Sequence, residues 1–375
     1  MRGDIGVVGA GITGLATAYT VASRGASVVV YERGAPGNGQ SGGESRIFRH
    51  AHEDPRLVGY AREARSLWRE WEQRFERELL SRDGVVAIGP TALARLELLQ
   101  DASGIDARSV DPTELAQRLP LLAPWDGPAA LDADGGAIRT RATFAALTDA
   151  LKERLVYDEV LSVRPTARGV EVRFGGGVAE HERVVVCAGR GTGALAQSAG
   201  LALPVTQSAQ VRLSYRVRGE PPSRLACLLD GGTFTAESAY ADPLPGNAAY
   251  AVGLGHAPVA PDGSVLAPAA LADATERNRD YVARALPGLE PDPFEARHCW
   301  ITTLPWSPDG FAVWEAGGAL FLAGDRMFKH APVIGKMLAD AVLDERLHPD
   351  LAPEARLGLA PEARLGRAPQ AARPA

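Results

Sequence analysis

Three cysteines in 375 residues (Cys187, Cys227 and Cys299), none in a CxxC spacing, rule out a disulfide framework and point to a reducing compartment. Lysine is nearly missing as well: only Lys152, Lys329 and Lys336 stand among 40 basic residues. The net charge of −6, with no basic block to offset it, argues against a nucleic-acid partner. No apolar run reaches the roughly 18 residues of a membrane-spanning helix. The histidines at 50, 52, 298 and 330 lack metal-ligand spacing, so no metal site is expected. No Gly-x-Ser-x-Gly elbow or spaced Ser/His/Asp set supports acyl chemistry. A strand begins at residue 5, which leaves no room for a signal peptide, and a cytoplasmic protein is expected.

The chain opens with a complete dinucleotide-binding unit. Ile5–Val8 reads as a buried strand, Gly9-Ala-Gly11-Ile-Thr-Gly14 as the glycine turn, and Leu15–Arg24 as the following helix. Gly9 and Gly11 let backbone approach a pyrophosphate, and Gly14 lets the helix pack close to the sheet. The helix N-terminus offers unpaired N–H groups and a positive dipole end. Val28–Tyr31 is the second strand, and Glu32 stands where a carboxylate accepts ribose hydroxyls. At this length two domains are expected. The class is α/β, with a Rossmann-like dinucleotide domain and a second domain.

Further elements follow from periodicity and punctuation. Leu57–Leu80 has the apolar spacing of one long helix, which makes Trp68 and Trp71 core residues. Helices are also expected at 111–118, 143–154, 271–286 and 333–343. Strands are expected at 85–88, 160–163, 170–174, 184–186 and 320–324, with β-rich stretches at 205–217 and 225–255. Val184–Gly193 is a second strand-to-glycine turn. The octapeptide LAPEARLG occurs twice in tandem, at 351–358 and 359–366. Such Pro/Ala/Arg-rich sequence buries little apolar surface, so 346–375 is expected to be a disordered tail.

Gly42-Gly-Glu-Ser-Arg46-Ile-Phe-Arg49-His50-Ala-His52 strongly resembles the sarcosine oxidase and N-methyltryptophan oxidase branch of the D-amino-acid-oxidase-like flavoenzymes. There the pattern runs G-D-T-R-I-x-R-H-A. Trp68, Glu72, Gly84–Gly89, Cys299, Ala323-Gly324, Phe328-Lys329 and Gly335 continue the similarity, which covers about 3–345. The resemblance implies FAD, with a Rossmann-like flavin domain assembled from the separated segments 1–80, 141–204 and 300–345, and a substrate domain at 81–140 and 205–299 built on a mixed or antiparallel β-sheet. It implies flavin contacts at Gly9, Gly11, Ile12, Thr13, Gly14, Glu32, Arg33, Ser41, Ser45, Arg46, Val160, Ala188, Gly189, Cys299, Gly324 and Lys329.

The resemblance also assigns Arg49 and Lys329 to the substrate carboxylate, which makes chemical sense. A guanidinium binds it bidentately and an ammonium adds a second charge. Arg46 matches a residue beside the flavin ring, with a salt bridge or phosphate contact as the other reading. Cys299 falls where that branch carries a covalent flavin link, though a lone cysteine also serves as a small buried hydrophobe. His256 either faces the cofactor or is a solvated histidine. The branch's lysine above the flavin, in a K-x-G segment, is Ala251 here, and Ile301 replaces an aromatic residue. Asp325-Arg326 occupies what is usually a small-residue loop.

The implied reaction is oxidation of a C–N bond in a small amino or imino acid by hydride transfer to flavin N5. The imine is the product, and oxygen reoxidises the flavin. The missing lysine keeps a dehydrogenase with another acceptor as the alternative. An NAD-dependent dehydrogenase and a flavin-holding scaffold are the more distant readings. A monomer with no membrane partner is expected.

Overall fold

The computed structural model describes residues 4–100, 102, 104–257, 259 and 267–360, without the side chains of 256 and 257. A six-stranded sheet forms the first layer, in the order Phe311–Ala316, Ala319–Gly324, Arg183–Val186, Ile5–Val8, Val28–Tyr31, Leu155–Val156. All neighbours are parallel except the antiparallel Phe311–Ala316 edge. Parallel strands are covered on both faces and so read as continuous apolar runs. Alternate residues divide between two cores. Val7, Val30, Val185 and Leu320 join the cluster beneath helices Ile12–Ser23 and Ala331–Leu343. Val8, Val29, Val184 and Phe321 join the cluster beneath the meander Val160–Thr166, Gly169–Phe174, Gly177–His181.

An eight-stranded sheet forms the second layer, in the order Glu295–Thr303, Thr206–Arg216, Ala249–Ala257, Ala239–Pro243, Cys227–Asp230, Val85–Ile88, Ala129–Asp132, Ala107–Ser109. It is mixed: only Cys227–Asp230 and Val85–Ile88 pair in parallel. Helix Pro268–Ala285 covers one face, where Tyr215 donates to Asn278 at 2.9 Å and Asn278 donates to the Val252 carbonyl at 2.9 Å.

Three expectations are corrected here. Strand Glu295–Thr303 crosses the 299/300 boundary, because Cys299, Trp300 and Ile301 continue the ladder with Gln210, Ala209 and Ser208. The long helix is Pro55–Phe75, capped by Asp54 and closed by Glu76 in the left-handed region. Leu79 and Leu80 are buried outside it, their N–H groups donating to Glu72 Oε1 at 3.0 Å each.

The third concerns the tail, which is folded through its first repeat copy. Leu351 and Leu357 are buried in the core beneath helices Ile12–Ser23 and Ala331–Leu343. Arg56 pairs with Asp350 at 3.0 Å, Gly358 N–H donates to Asp54 at 2.8 Å, and Trp306 donates to the Leu357 carbonyl at 3.1 Å. Two leucines and a set of backbone bonds suffice where composition alone predicted disorder. Most of the second copy, from residue 361, lies outside the described residues. No helix among the described residues is long and apolar enough to cross a membrane.

Candidate active site

A cavity of about 930 Å³ runs between the two layers, at the upper end of ligand-pocket sizes. Three groups of residues line it.

The first group is the glycine turn. Gly9 has φ +100°, and a Cβ there would lie 2.5 Å from the Cys187 carbonyl. A Cβ on Gly14 would lie 1.9 Å from the Gly9 carbonyl, so helix and turn meet this closely only because residue 14 is glycine. Helix Ile12–Ser23 has no side-chain cap and no acid in its first turn. Ile12 N–H reaches Ser41 Oγ at 3.2 Å. Glu32 is held by the N–H groups of Ala10 at 2.8 Å and Gly34 at 2.9 Å. Gly11, Thr13, Arg33, Ser41, Val160, Ala188 and Gly189 all line this stretch. Gly14 does not, because its part is the packing just described.

The second group surrounds Cys299. Arg46 points Nη2 at Cys299 Sγ, 3.9 Å away, and donates to the Ser45 carbonyl at 2.8 Å and to the Gly42 carbonyl. Burial and then the neighbouring Arg212 lower the Arg46 pKa. Arg212 forms a buried ion pair with Asp242, its Nη2 donating to both carboxylate oxygens at 3.0 Å. Burial opposes its charge, yet Asp242 holds it firmly protonated. Tyr240 donates to Gln210 at 3.2 Å. Ser45 is fully buried behind the wall and does not line the cavity; its carbonyl accepts from Arg212 at 2.9 Å. Ala251 is buried in its strand and lies off the cavity, while Arg212 stands opposite Gly253 in the ladder. The backbone of His256 belongs to strand Ala249–Ala257, and its side chain lies outside the described part of the structure.

The third group is cationic. Arg49 follows strand Ser45–Phe48, and Lys329 sits in a single turn, Phe328–His330, held where Trp68 Nε1 donates to the Lys329 carbonyl at 2.9 Å. Both line the cavity. Asp309 ties the group together: Arg49 Nη2 lies 3.5 Å from it, His52 Nδ1 2.6 Å and Arg326 Nη1 3.8 Å. Lys329 Nζ donates to the Arg326 carbonyl at 3.0 Å. Burial pushes the Lys329 pKa down to about 7; Asp309 opposes the fall, and Arg49 and Arg326 deepen it. Burial likewise takes His52 down to about 3, so its ring is neutral. Asp309 is held well below the usual carboxylate range, its burial outweighed by His52 and Arg49.

Sequence reasoning missed Asp309, Arg95, Arg212, Tyr240 and Asp242. No spacing connects them to the Arg46–His52 segment; only the sheet register and loop closure do.

The parts of this site define a glycine-turn cleft of dinucleotide-binding form joined to a pocket walled by cationic side chains. The match of residues 4–341 to the FAD dependent oxidoreductase (DAO) family model is the stronger finding, and the chain belongs to that family. Among solved structures, it is similar to NikD, described as an unusual amino acid oxidase essential for nikkomycin biosynthesis. The identity is 24%, with 95% of this chain and 97% of that chain covered and a TM-score of 0.82. It is also similar to L-proline dehydrogenase from P. horikoshii (18% identity, 98% and 99% covered, TM-score 0.81). Glycine oxidase from Geobacillus kaustophilus matches at 22% identity, with 94% and 97% covered and a TM-score of 0.77. No curated protein matches the chain.

The cofactor is FAD, and the residues present fit it. The N-terminal end of helix Ile12–Ser23 would hold the pyrophosphate, Glu32 stands beside the turn, and the cavity continues to the Cys299 wall.

Proposed function

We propose that the protein oxidises the C–N bond of a small amino or imino acid to the imine. The observation that carries this reading is that Arg49 and Lys329, 280 positions apart, share one cavity wall around Asp309. When bound, FAD supplies the two-electron acceptor. Arg49 takes the substrate carboxylate, and Asp309 on its far side keeps the guanidinium oriented. Lys329 adds charge, since a carboxylate at its Nζ favours the ammonium form. These cations disfavour an ammonium on the substrate, which leaves the nitrogen lone pair available. No protein base is then required.

Oxygen is the proposed acceptor, with Arg46 and Arg212 as the positive charges beside the Cys299 wall. Ala251, standing where the resembling branch has lysine, supports the alternative of another acceptor. Cys299 borders the cavity with Arg46 against its sulfur, which supports a covalent attachment there. One experiment tests the set. Amino and N-alkyl amino acids are mixed anaerobically with holoenzyme, and the flavin is followed by absorbance. Bleaching by a carboxylate-bearing amine is expected, with peroxide formed on admitting air; bleaching reversed only by an artificial acceptor identifies a dehydrogenase. If no amine bleaches the flavin, the reading fails. Yellow colour that stays with the denatured chain establishes the covalent link.

A further inference from the structure

Helix Ala92–Gln100 buries Ala92, Leu96 and Leu99 on one face. Arg95 lies at the edge of that face, three residues from Ala92 and four from Leu99, so its side chain can turn inward or outward. It turns inward and lines the cavity that holds Arg49, Arg326 and Lys329. Burial, then the charges of Arg49 and Arg326, lower its pKa to about 10. An arginine at such an edge ordinarily extends its head to water or to a carboxylate. Among the described residues Arg95 has no ion pair. Asp309 is committed to Arg49, His52 and Arg326, and Glu53 is exposed.

Charge counting gives the same answer. Four cationic side chains (Arg49, Arg95, Arg326 and Lys329) meet two carboxylates, Asp309 and Asp325. A substrate with one carboxylate leaves a cation uncompensated, and a second carboxylate closes the balance. Like charges gathered without a counter-ion are costly in a shielded site, which is the signature of a place built for an anion.

We infer that Arg95 forms a second anion subsite and that the substrate is an amino or imino dicarboxylic acid. One carboxylate sits at Arg49 and Lys329, beside the carbon that is oxidised. The other reaches Arg95, whose planar fork takes it bidentately. This inference rests on the proposed amine oxidation for the position of the first carboxylate, but the binding it predicts needs no turnover.

The test is a titration of holoenzyme with non-oxidisable acids, read from the perturbed flavin spectrum. Malonate, succinate and glutarate are compared with acetate, propionate and butyrate at pH 6 and low salt. The best dicarboxylate is expected to bind at least about tenfold tighter than its monocarboxylate partner, the usual worth of a charged hydrogen bond. Arg95→Met is expected to bring that ratio close to one, and Arg95→Lys to restore part of it. Equal affinities in the wild type, or an unchanged ratio in Arg95→Met, overturn the subsite and leave amine oxidation standing. A preserved dicarboxylate preference with no amine able to bleach the flavin does the reverse.

Discussion

Two walls of one cavity present positive character by opposite means. At the glycine turn the donors are backbone N–H groups at a helix end, and the residues that matter are those with no side chain to obstruct them. At the Asp309 wall the donors are side chains: two arginines and a lysine drawn together by one carboxylate. Backbone donors have fixed polarity and do not titrate. The side-chain cluster is tunable, because each cation changes the pKa of its neighbours. The first wall therefore suits a cofactor that stays bound, and the second a substrate that must come and go.

The sharpest way to break this contrast is to fill the backbone site. Gly14→Val places a branched side chain where even a Cβ would meet the Gly9 carbonyl at 1.9 Å. Backbone cannot yield as a flexible side chain would. The expected product is protein without bound FAD, or none that folds, read as loss of the flavin absorbance in purified material. A full complement of flavin would show that the helix can shift away from the turn.

Next in size is the cationic wall. Arg49→Met is expected to lower kcat/KM for a carboxylate-bearing amine by about 100-fold or more while flavin content stays near wild type. The side chain's loss leaves the substrate carboxylate without a bidentate partner, and leaves Asp309 with one cation fewer. Steady-state kinetics beside flavin absorbance separate these effects. Unchanged kcat/KM would remove Arg49 from the carboxylate site.

The pH dependence discriminates more finely. Lys329, with its pKa pushed down to about 7, is an ammonium below that value and neutral above it. A simple monocarboxylate keeps its charge throughout this range, so its affinity should be level below pH 7 and fall above it, by up to about tenfold. Asp309 raises the Lys329 pKa, so Asp309→Asn is expected to move the midpoint lower. Stability runs in the other direction. Unfolded lysine titrates near 10.5, so between pH 7 and 10.5 the unfolded chain binds more protons and this residue's contribution rises with pH. Affinity that stays flat through pH 7 in both proteins would exclude Lys329 from the site.

Which wall was legible in the sequence follows from the same contrast. The glycine turn, Glu32 and Ser41 belong to one contiguous segment, and the turn was readable before any fold was known. Arg49 and Lys329 came from a family resemblance. Asp309, which holds them together, had no signal, because the Leu304–Gly310 loop meets residues 49–52 only after both layers form. Four strands of the six-stranded sheet, Ile5–Val8, Val28–Tyr31, Arg183–Val186 and Ala319–Gly324, were legible as apolar runs to within a residue at each end, whereas Leu155–Val156 and the edge strand Phe311–Ala316 were not. Where periodicity met a competing hydrogen-bond partner, the competitor won. The Glu72 carboxylate draws Leu79 and Leu80 out of the helix that their spacing predicted, and the pairing with Thr206–Arg216 carries strand Glu295–Thr303 across the expected domain boundary. The first LAPEARLG copy folds because Asp54, Arg56 and Trp306 wait for it on other segments, and an octapeptide's composition holds no trace of them.

The smallest effect is expected at Glu32, a titratable side chain tied into the backbone wall. Its two carboxylate oxygens accept from Ala10 and Gly34 N–H, so it shapes the turn as well as facing the cavity. Glu32→Gln keeps one acceptor oxygen and replaces the other with an amide nitrogen that now meets an N–H donor. One hydrogen bond to a charged group is lost, worth about 1.5–3 kcal/mol at most, and part of it returns if the amide rotates toward a ribose oxygen. FAD affinity should fall about tenfold, measured by rebinding to apoprotein, or by loss of flavin on dilution if the link is not covalent. If the Glu32→Gln variant binds FAD as tightly as the wild type does, the carboxylate's task is to brace the turn, and the backbone wall needs no charged side chain.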